Sequence, residues 1–410
     1  MERQNFKIKP SMPDCVLQTS ESQLFTRHRD SVLCCSIARN DRLAVSGGVD
    51  DTAFVWDLET KHAIFECTGH KESVVAAAFS VKSTYVATAD MNGYIQVRNT
   101  TNGIRIFEFE IDEINWIRWH NSSDYVLFAG TMKGDFWMWN VNDPIGVKTF
   151  PPYGTASISA ELFDDGREIA VAYKDGSLRV FDLKLKNLTR QLESEDKSEI
   201  TCLDISPNNS LIAIGCIDSS VKIMTTGGLK VISNFVCKSR EQSKLEDPAK
   251  GSFEVIEVDD SSDEELVPEV SSGEDIPSDD SDNDDMWEYQ SITECLSVEC
   301  VLFSPRGDYL AAAENTGNLV MWDVTHGAIR CQLDSERGIT RCTWTPSGHY
   351  VVGFIDGSIR VYDINLSLIH QVQAHKDKIL DIANAGMIIL TVSDDMTCRA
   401  IDLGTQQARK

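Results

Sequence analysis

Leu43 to Asp57 reads LAVSGGVDDTAFVWD: one apolar run, a turn rich in Gly and Asp, and a second apolar run closing on Trp56-Asp57. Alternating apolar runs broken by Gly, Asp, Asn and Ser are the pattern of short antiparallel strands. The closing tetrad FVWD recurs in altered form as QVRN ending at Asn99, WMWN at Asn140, RVFD at Asp182, KIMT at Thr225, VMWD at Asp323, RVYD at Asp363 and RAID at Asp402. Separations between successive penultimate residues are 42, 41, 42, 43, 98, 40 and 39. A second marker, an apolar residue closing a strand before a turn, falls at Ile37, Phe79, Trp119, Phe163, Ile205, Phe303, Trp344 and Ile382. It precedes the penultimate position of its own unit by 18 to 20 residues in every copy. One folding unit is therefore copied eight times.

Units of this length with four short strands and WD dipeptides resemble the WD-repeat β-propeller, and the fold class expected is all-β with eight blades. The first repeat matches that family's full signature: His28 in the preceding loop, Ser46, Asp50 in the turn, and Trp56. The resemblance implies a structural relay of hydrogen bonds among those four side chains. Repeat two keeps Gly69-His70 but has Arg98 at the Trp position, which breaks the pattern there.

Too little chain follows Asp402 for a last outer strand, so an N-terminal strand within residues 15–26 (Cys15 to Phe25 reads CVLQTSESQLF) is expected to close the ring. The organisation is then a tail at 1–14, the closing strand at 15–26, blades one to five at 27–236, an acidic insertion at 237–292, blades six to eight at 293–404 and a tail at 405–410.

The 410 residues carry a net charge of −26, and Glu254 to Glu288 alone holds sixteen Asp and Glu with no Lys or Arg. Such a balance disfavours nucleic acid and anionic membranes and favours a basic protein or peptide. The insertion is too poor in apolar residues to offset its ordering entropy, so it is expected to be a long disordered acidic loop between blades five and six, on the face where propellers usually bind. Its acids Asp259, Asp260, Asp263, Glu264, Glu265, Asp279 and Asp280 are candidate contacts, with Trp287 as an aromatic anchor beside Tyr289. Val255, Ile256 and Val258, followed by DSSDEE, resemble a SUMO-interaction motif. Ser261, Ser262, Ser271, Ser272 and Ser281 each precede an acid by three residues, the spacing of acid-directed phosphorylation. A solvated loop that the fold merely tolerates explains the same composition.

Two residues before the first apolar position of each inner strand stand Asp30, Glu72, Asp112, Ala156, Ser198, Leu296, Arg337 and Asp377. The four acids belong to neighbouring blades eight, one, two and three, and Asp51 joins the same sector. An Asp at this place also serves simply to satisfy turn amides.

Enzyme motifs are missing: no Gly-rich phosphate loop with Lys, no G-x-S-x-G elbow, no H-E-x-x-H. No cofactor or metal is implied. Cys34 and Cys35 are adjacent and would face opposite sides of a strand, and Cys295 and Cys300 lack a second pair. The residue two after the repeat-ending position is Glu59, Lys184, Thr325 or Asn365, not the Arg of ubiquitin-ligase receptors. Twelve unpatterned cysteines, no secretory apolar run at the start and no membrane-length apolar stretch point to a reducing compartment, cytoplasmic with nuclear entry open; a monomer is expected.

GGVDDTAFVW (Gly47 to Trp56), FECTGHKESV (Phe65 to Val74), WIRWH (Trp116 to His120) and FAGTMKGDFWMW (Phe128 to Trp139) go beyond the generic repeat and resemble the angio-associated migratory cell protein family. That family is similar to the fungal WD-repeat escort of a large-subunit ribosomal protein. The resemblance implies an acidic escort for a basic ribosomal protein, or, from the family's name, a signalling scaffold in cell migration.

Overall fold

The copied alternation folds, in a computed structural model that describes residues 22–193, 197–237 and 296–404, as eight four-stranded antiparallel sheets. Blade one shows why each strand has its place. Its second and third strands, Leu43–Gly48 and Ala53–Asp57, are buried at every position, whereas the outermost, His62–Cys67, alternates exposed and covered. Middle strands lie between two neighbouring blades and therefore read as continuous apolar or small runs. The outermost strand packs on one side only and keeps period two.

Neighbouring blades approach closely where the second strand carries a very small residue. A Cβ on Gly47 would stand 2.5 Å from Val74 Cγ1 of the next blade, and one on Gly215 would stand 2.6 Å from Val298 Cγ1. Ala89 and Ala313 hold the same register position in blades two and six. These seams are built for hydrogen or methyl, whereas blade eight carries Val392 at that position, and the seam cores join residues of adjacent blades, as with Phe163, Val180 and Ile200, Ile214.

The ring closes as the sequence predicts. Ser22–Phe25 pairs antiparallel with Cys398–Asp402, register Ser22↔Ile401 to Phe25↔Cys398, so blade eight takes its outermost strand from the start of the chain. Phe25 is buried against Trp56 of blade one, ring centroids 4.9 Å apart. The rest of the segment expected to close the ring, residues 15–21, lies outside the described residues. The outer strand of blade five, Val231–Val236, and the inner strand of blade six, Val298–Phe303, flank the insertion, which lies between blades five and six as the spacing requires.

Two strand-closing markers move. Register places Leu162, not Phe163, and Asn384, not Ile382, in line with Ile37. In blade eight the inner strand runs on to Ala385 and turns through Gly386-Met387, with Ala385 paired to Ile388. A two-residue hairpin with Gly at positive φ shortens the turn, so a count of residues back from the repeat end lands two positions early.

Candidate partner-binding face

Each loop entering an inner strand is tied to the next turn of its own blade by one backbone bond: Val49 N to Ser31 O, Met91 N to Ser73 O, Met132 N to Glu113 O, Lys174 N to Ala156 O, Ile217 N to Glu199 O, Asn315 N to Ser297 O, Ile355 N to Gly338 O and Asp394 N to Lys378 O, all 2.9 to 3.2 Å. These eight loop-and-turn pairs make one face of the ring. Cys237 and Leu296, between which the acidic insertion lies, are at the same end of their strands.

Blade one anchors its loop through the relay that its signature implies. Trp56 Nε1 donates to Ser46 Oγ (2.9 Å), His28 Nε2 meets the same oxygen at 2.8 Å, and His28 Nδ1 meets Asp50 Oδ1 at 3.0 Å. Asp50 Oδ2 also accepts Arg29 N at 2.9 Å. Burial opposes the Asp50 charge, but the bonds from His28, Thr52 and Arg29 outweigh it and hold the carboxyl well below the usual carboxylate range. Asp50 is thus committed to structure.

Blade two keeps three members: His70 Nε2 to Thr88 Oγ1 at 2.8 Å and Nδ1 to Asp90 Oδ2 at 3.4 Å. Arg98 leaves the relay and donates to Gly103 O and Thr68 O, bracing the loop differently. Blade eight forms a relay that the sequence reading missed, His375 with Thr391 (2.9 Å) and Asp395 (3.2 Å). Its signal was available: Thr391 and Asp395 repeat the spacing of Ser46 and Asp50. Burial lowers the His70 and His375 pKa values despite their acidic partners.

The four rim acids Asp30, Glu72, Asp112 and Asp377 are all exposed on this face, and Asp51, half-buried, sits in the turn beside Val49 at φ 58°. They differ in engagement. Asp112 Oδ1 pairs with Lys133 Nζ at 2.6 Å, while Asp30 and Asp377 accept the amides of Ser31 (2.7 Å) and Lys378 (2.8 Å). Cations intervene: Arg29, Lys71 and Lys376 each stand immediately before a rim acid. Over these four blades the loop acids, with Glu113, Asp135, Asp394 and Asp395 added, still outnumber Arg27, Arg29, Lys71, Lys133, Lys376 and Lys378. The sector is negative with interleaved positive charge rather than uniformly acidic.

The acidic-loop candidates Asp259, Asp260, Asp263, Glu264, Glu265, Asp279, Asp280 and Trp287, the apolar motif Val255, Ile256 and Val258, and serines 261, 262, 271, 272 and 281 lie outside the described residues.

A central channel of about 940 Å³ is lined by the inner strands and carries charge that the repeat markers did not reveal. Four of the acids in its wall have partners, and Asp164, which is exposed, is the fifth. Glu161 pairs with Arg118 at 3.1 Å, and Glu299 accepts Ser297 Oγ at 2.7 Å and approaches Arg341 at 3.8 Å. Asp204 accepts Phe303 N (2.6 Å) and Ile205 N (2.9 Å), and Asp381 accepts Cys35 N and Ile382 N, both at 2.9 Å. Burial, with the Glu161 charge adding to it, pushes Asp204 up to about 8, and burial likewise raises Asp381 against the pull of Arg341. These groups join blades. Among the described residues no three His, Cys, Asp or Glu side chains are grouped to hold a metal ion, and no helix is long and apolar enough to cross a membrane. Cys34 and Cys35 do face opposite sides, each buried in a different core cluster.

The family description "WD domain, G-beta repeat" matches residues 19–57, 61–99, 289–323 and 329–363, and "Anaphase-promoting complex subunit 4 WD40 domain" matches 169–247. Angio-associated migratory cell protein of Homo sapiens is 30% identical over 379 residues, spanning 90% of this chain and 77% of that protein. The chain belongs to the angio-associated migratory cell protein family. Another similar protein is the ribosome assembly protein SQT1 of Saccharomyces cerevisiae, 28% identical over 129 residues and 30% of each chain. Solved structures extend that likeness to the whole fold. The Saccharomyces cerevisiae Sqt1 crystal structure matches with a TM-score of 0.73 at 15% identity, over 95% of this chain and all of that one. Chaetomium thermophilum Sqt1 bound to the N-terminus of ribosomal protein L10 matches with a TM-score of 0.71 at 18% identity, over 93% and 98%. This member of the family therefore shares an eight-bladed WD-repeat ring with the ribosome assembly protein.

Proposed function

We propose that the ring is a non-enzymatic escort that holds a basic polypeptide, a large-subunit ribosomal protein, on its loop face during assembly. The observation that carries this is the half-ring of exposed carboxylates, Asp30, Glu72, Asp112 and Asp377, on the face where the strongly acidic insertion leaves and rejoins the blades. A newly made basic segment binds RNA and itself indiscriminately, and a negative surface of this kind speeds its capture and suppresses wrong partners. The interleaved cations give that surface register, so it selects a sequence of charges rather than charge alone. The likeness to a structure of an Sqt1 with a ribosomal protein's N-terminus supports the same reading. The channel acids Glu161, Asp204, Glu299 and Asp381 are engaged by arginines, strand amides and a serine hydroxyl, which gives them a structural task.

The test is affinity purification of the tagged full chain, washed at low and high salt. A stoichiometric basic ribosomal protein that dissociates at high salt is expected, because exposed charge pairs are screened. Reversing Asp30, Glu72 and Asp377 to Lys should abolish its capture, and Asp112→Lys alone should matter less because Lys133 already neutralises it. Capture unchanged by the triple reversal refutes the assignment. Signalling or cytoskeletal partners in place of a ribosomal protein would favour a scaffold in cell migration.

A further inference from the structure

The turn residue that bonds the inner-strand loop, equivalent in all eight blades, is apolar in five: Val49, Met91, Met132, Ile217 and Ile355. Surface turns ordinarily hold Gly, Asn, Asp or Ser. These side chains are not tucked away, with exposures of 36%, 51%, 46%, 39% and 54%. Ile355 shows where they lean: its Cγ2 and Cδ1 would stand 3.1 Å from a Cβ on Gly338, the residue feeding the inner strand of blade seven. Val49, Met91 and Met132 occupy consecutive blades one, two and three, so they form an arc inside the acidic half of the rim. Each has a carboxylate beside it: Asp51 two residues after Val49, Glu72 next to the Ser73 carbonyl that Met91 N bonds, and Glu113, whose own carbonyl Met132 N bonds.

Resting on the reading of this face as a site for basic polypeptide, we infer that the arc of Val49, Met91 and Met132 takes apolar side chains of that polypeptide. The ligand is then an amphipathic basic segment in which Lys or Arg alternates with Leu, Ile or Phe, not a purely polybasic tail. Charge decides the occupant, since the flanking carboxylates repel an acidic segment and cover the cations of a basic one. Two of the three side chains are methionines, whose unbranched stems adapt to different apolar partners. Apolar contact supplies affinity that salt does not screen, so capture by charge and retention by the arc are separate steps.

The experiment uses the full chain and two synthetic peptides of equal length and equal positive charge, one alternating Lys with Leu and the other Lys with Ser. The wild type is expected to bind the Leu peptide about tenfold more tightly, a difference of ~1.4 kcal/mol, and to retain it at high salt. The triple variant Val49→Ser, Met91→Ser, Met132→Ser should lose that preference while binding the Ser peptide as before. Its thermal midpoint should not move, because the replaced side chains are exposed. Equal affinity of the wild type for both peptides overturns the arc and leaves the acidic reading intact. Binding of both peptides that survives reversal of Asp30, Glu72 and Asp377 sinks the acidic reading instead. Self-association of the wild type that the Ser triple variant abolishes, with neither peptide competing, assigns the arc to a second copy and overturns the inference.

Discussion

Replacing Phe25 by Ala should open the ring at its closing blade. Phe25 is 3% exposed, lies among Trp56, Leu390 and Cys398, and stacks at a tilt on Trp56 with centroids 4.9 Å apart. Truncating a fully buried Phe costs about 3–5 kcal/mol, of which roughly 0.5–1.5 belongs to the aromatic pair. Folded domains have only about 5–15 kcal/mol in hand, so the loss is a large share of the whole. Leu24, its neighbour on the same strand, is 50% exposed and makes the natural control. Leu24→Ala removes a side chain already half in water and should cost about 1 kcal/mol or less. Equilibrium denaturation of both variants reads the difference, and the unfolding rate serves if the large ring unfolds irreversibly. Hydrogen exchange adds a local readout, since residues 398–401 pair with Ser22–Phe25 and should lose protection in Phe25→Ala first. The uncovered strand edge should also promote self-association on gel filtration. A Phe25→Ala variant within about 1 kcal/mol of Leu24→Ala by these measures, with unchanged exchange at residues 398–401, would refute closure by this strand as a stabilising element.

Two further outcomes test the seams and the channel. Gly215→Ala places a methyl 2.6 Å from Val298 Cγ1 and 2.7 Å from Cys202 Sγ, so the blade five to six seam must spread, and denaturation should show a loss of about 1–3 kcal/mol; an unaffected midpoint would mean that the seam is loose. Asp204 keeps its proton in the ring up to about pH 8 but loses it near pH 4 when unfolded, so the folded state binds the extra proton and stability falls as pH rises between those values, by at most about 1.4 kcal/mol per pH unit. Asp204→Asn should flatten denaturation midpoints over that window, and profiles parallel to the wild type would contradict the burial of that carboxyl.

The eight blades were legible because each copy holds two markers at nearly fixed spacing, and that spacing is set by strand length plus turn length. Legibility ended where turn length changed. The two-residue turn at Gly386-Met387 moved the marker of blade eight from Ile382 to Asn384, a shift invisible to a count that assumes longer turns. On the loop face, Asp30, Glu72, Asp112 and Asp377 were found because they occupy one position in the repeat, and all four are exposed. The cations one residue earlier, Arg29, Lys71 and Lys376, stood in the same alignment and temper the field. The relay of blade eight was hidden for a different reason: without a Trp at Ile401 the repeat looked degenerate, although His375, Thr391 and Asp395 need no Trp to bond one another. Channel pairs such as Asp204 with Phe303 join residues 99 apart in sequence, and no local pattern encodes which strands the ring will bring side by side.

Those channel carboxyls explain how the ring tolerates its two weakest junctions. Seven of its eight seams are bridged by a short connection from an outermost strand to the next inner strand. Between blades eight and one that connection starts from the borrowed strand, which is held to the rest of blade eight by strand pairing and packing alone, and between blades five and six the chain from Val236 to Val298 is far longer than the other links, so connectivity restrains these two seams least. At both, a carboxyl on one inner strand reaches the backbone of the next. Asp204 in Ile200–Ile205 accepts Phe303 N, and Asp381 in Ile379–Ala385 accepts Cys35 N. Among the described residues no other pair of adjacent inner strands is joined by a carboxyl accepting a neighbour's strand amide; other seams use an indole N–H, as with Trp119 to Ala78 O and Trp344 to Leu302 O, or a thiol, as with Cys34 to Val74 O. Each bond satisfies a strand amide in a confined wall, and an amide left without it would carry the desolvation cost of a buried, unpaired donor. The two acids are therefore placed where chain connectivity restrains least, and the burial that this placement imposes is what raises the pKa of each.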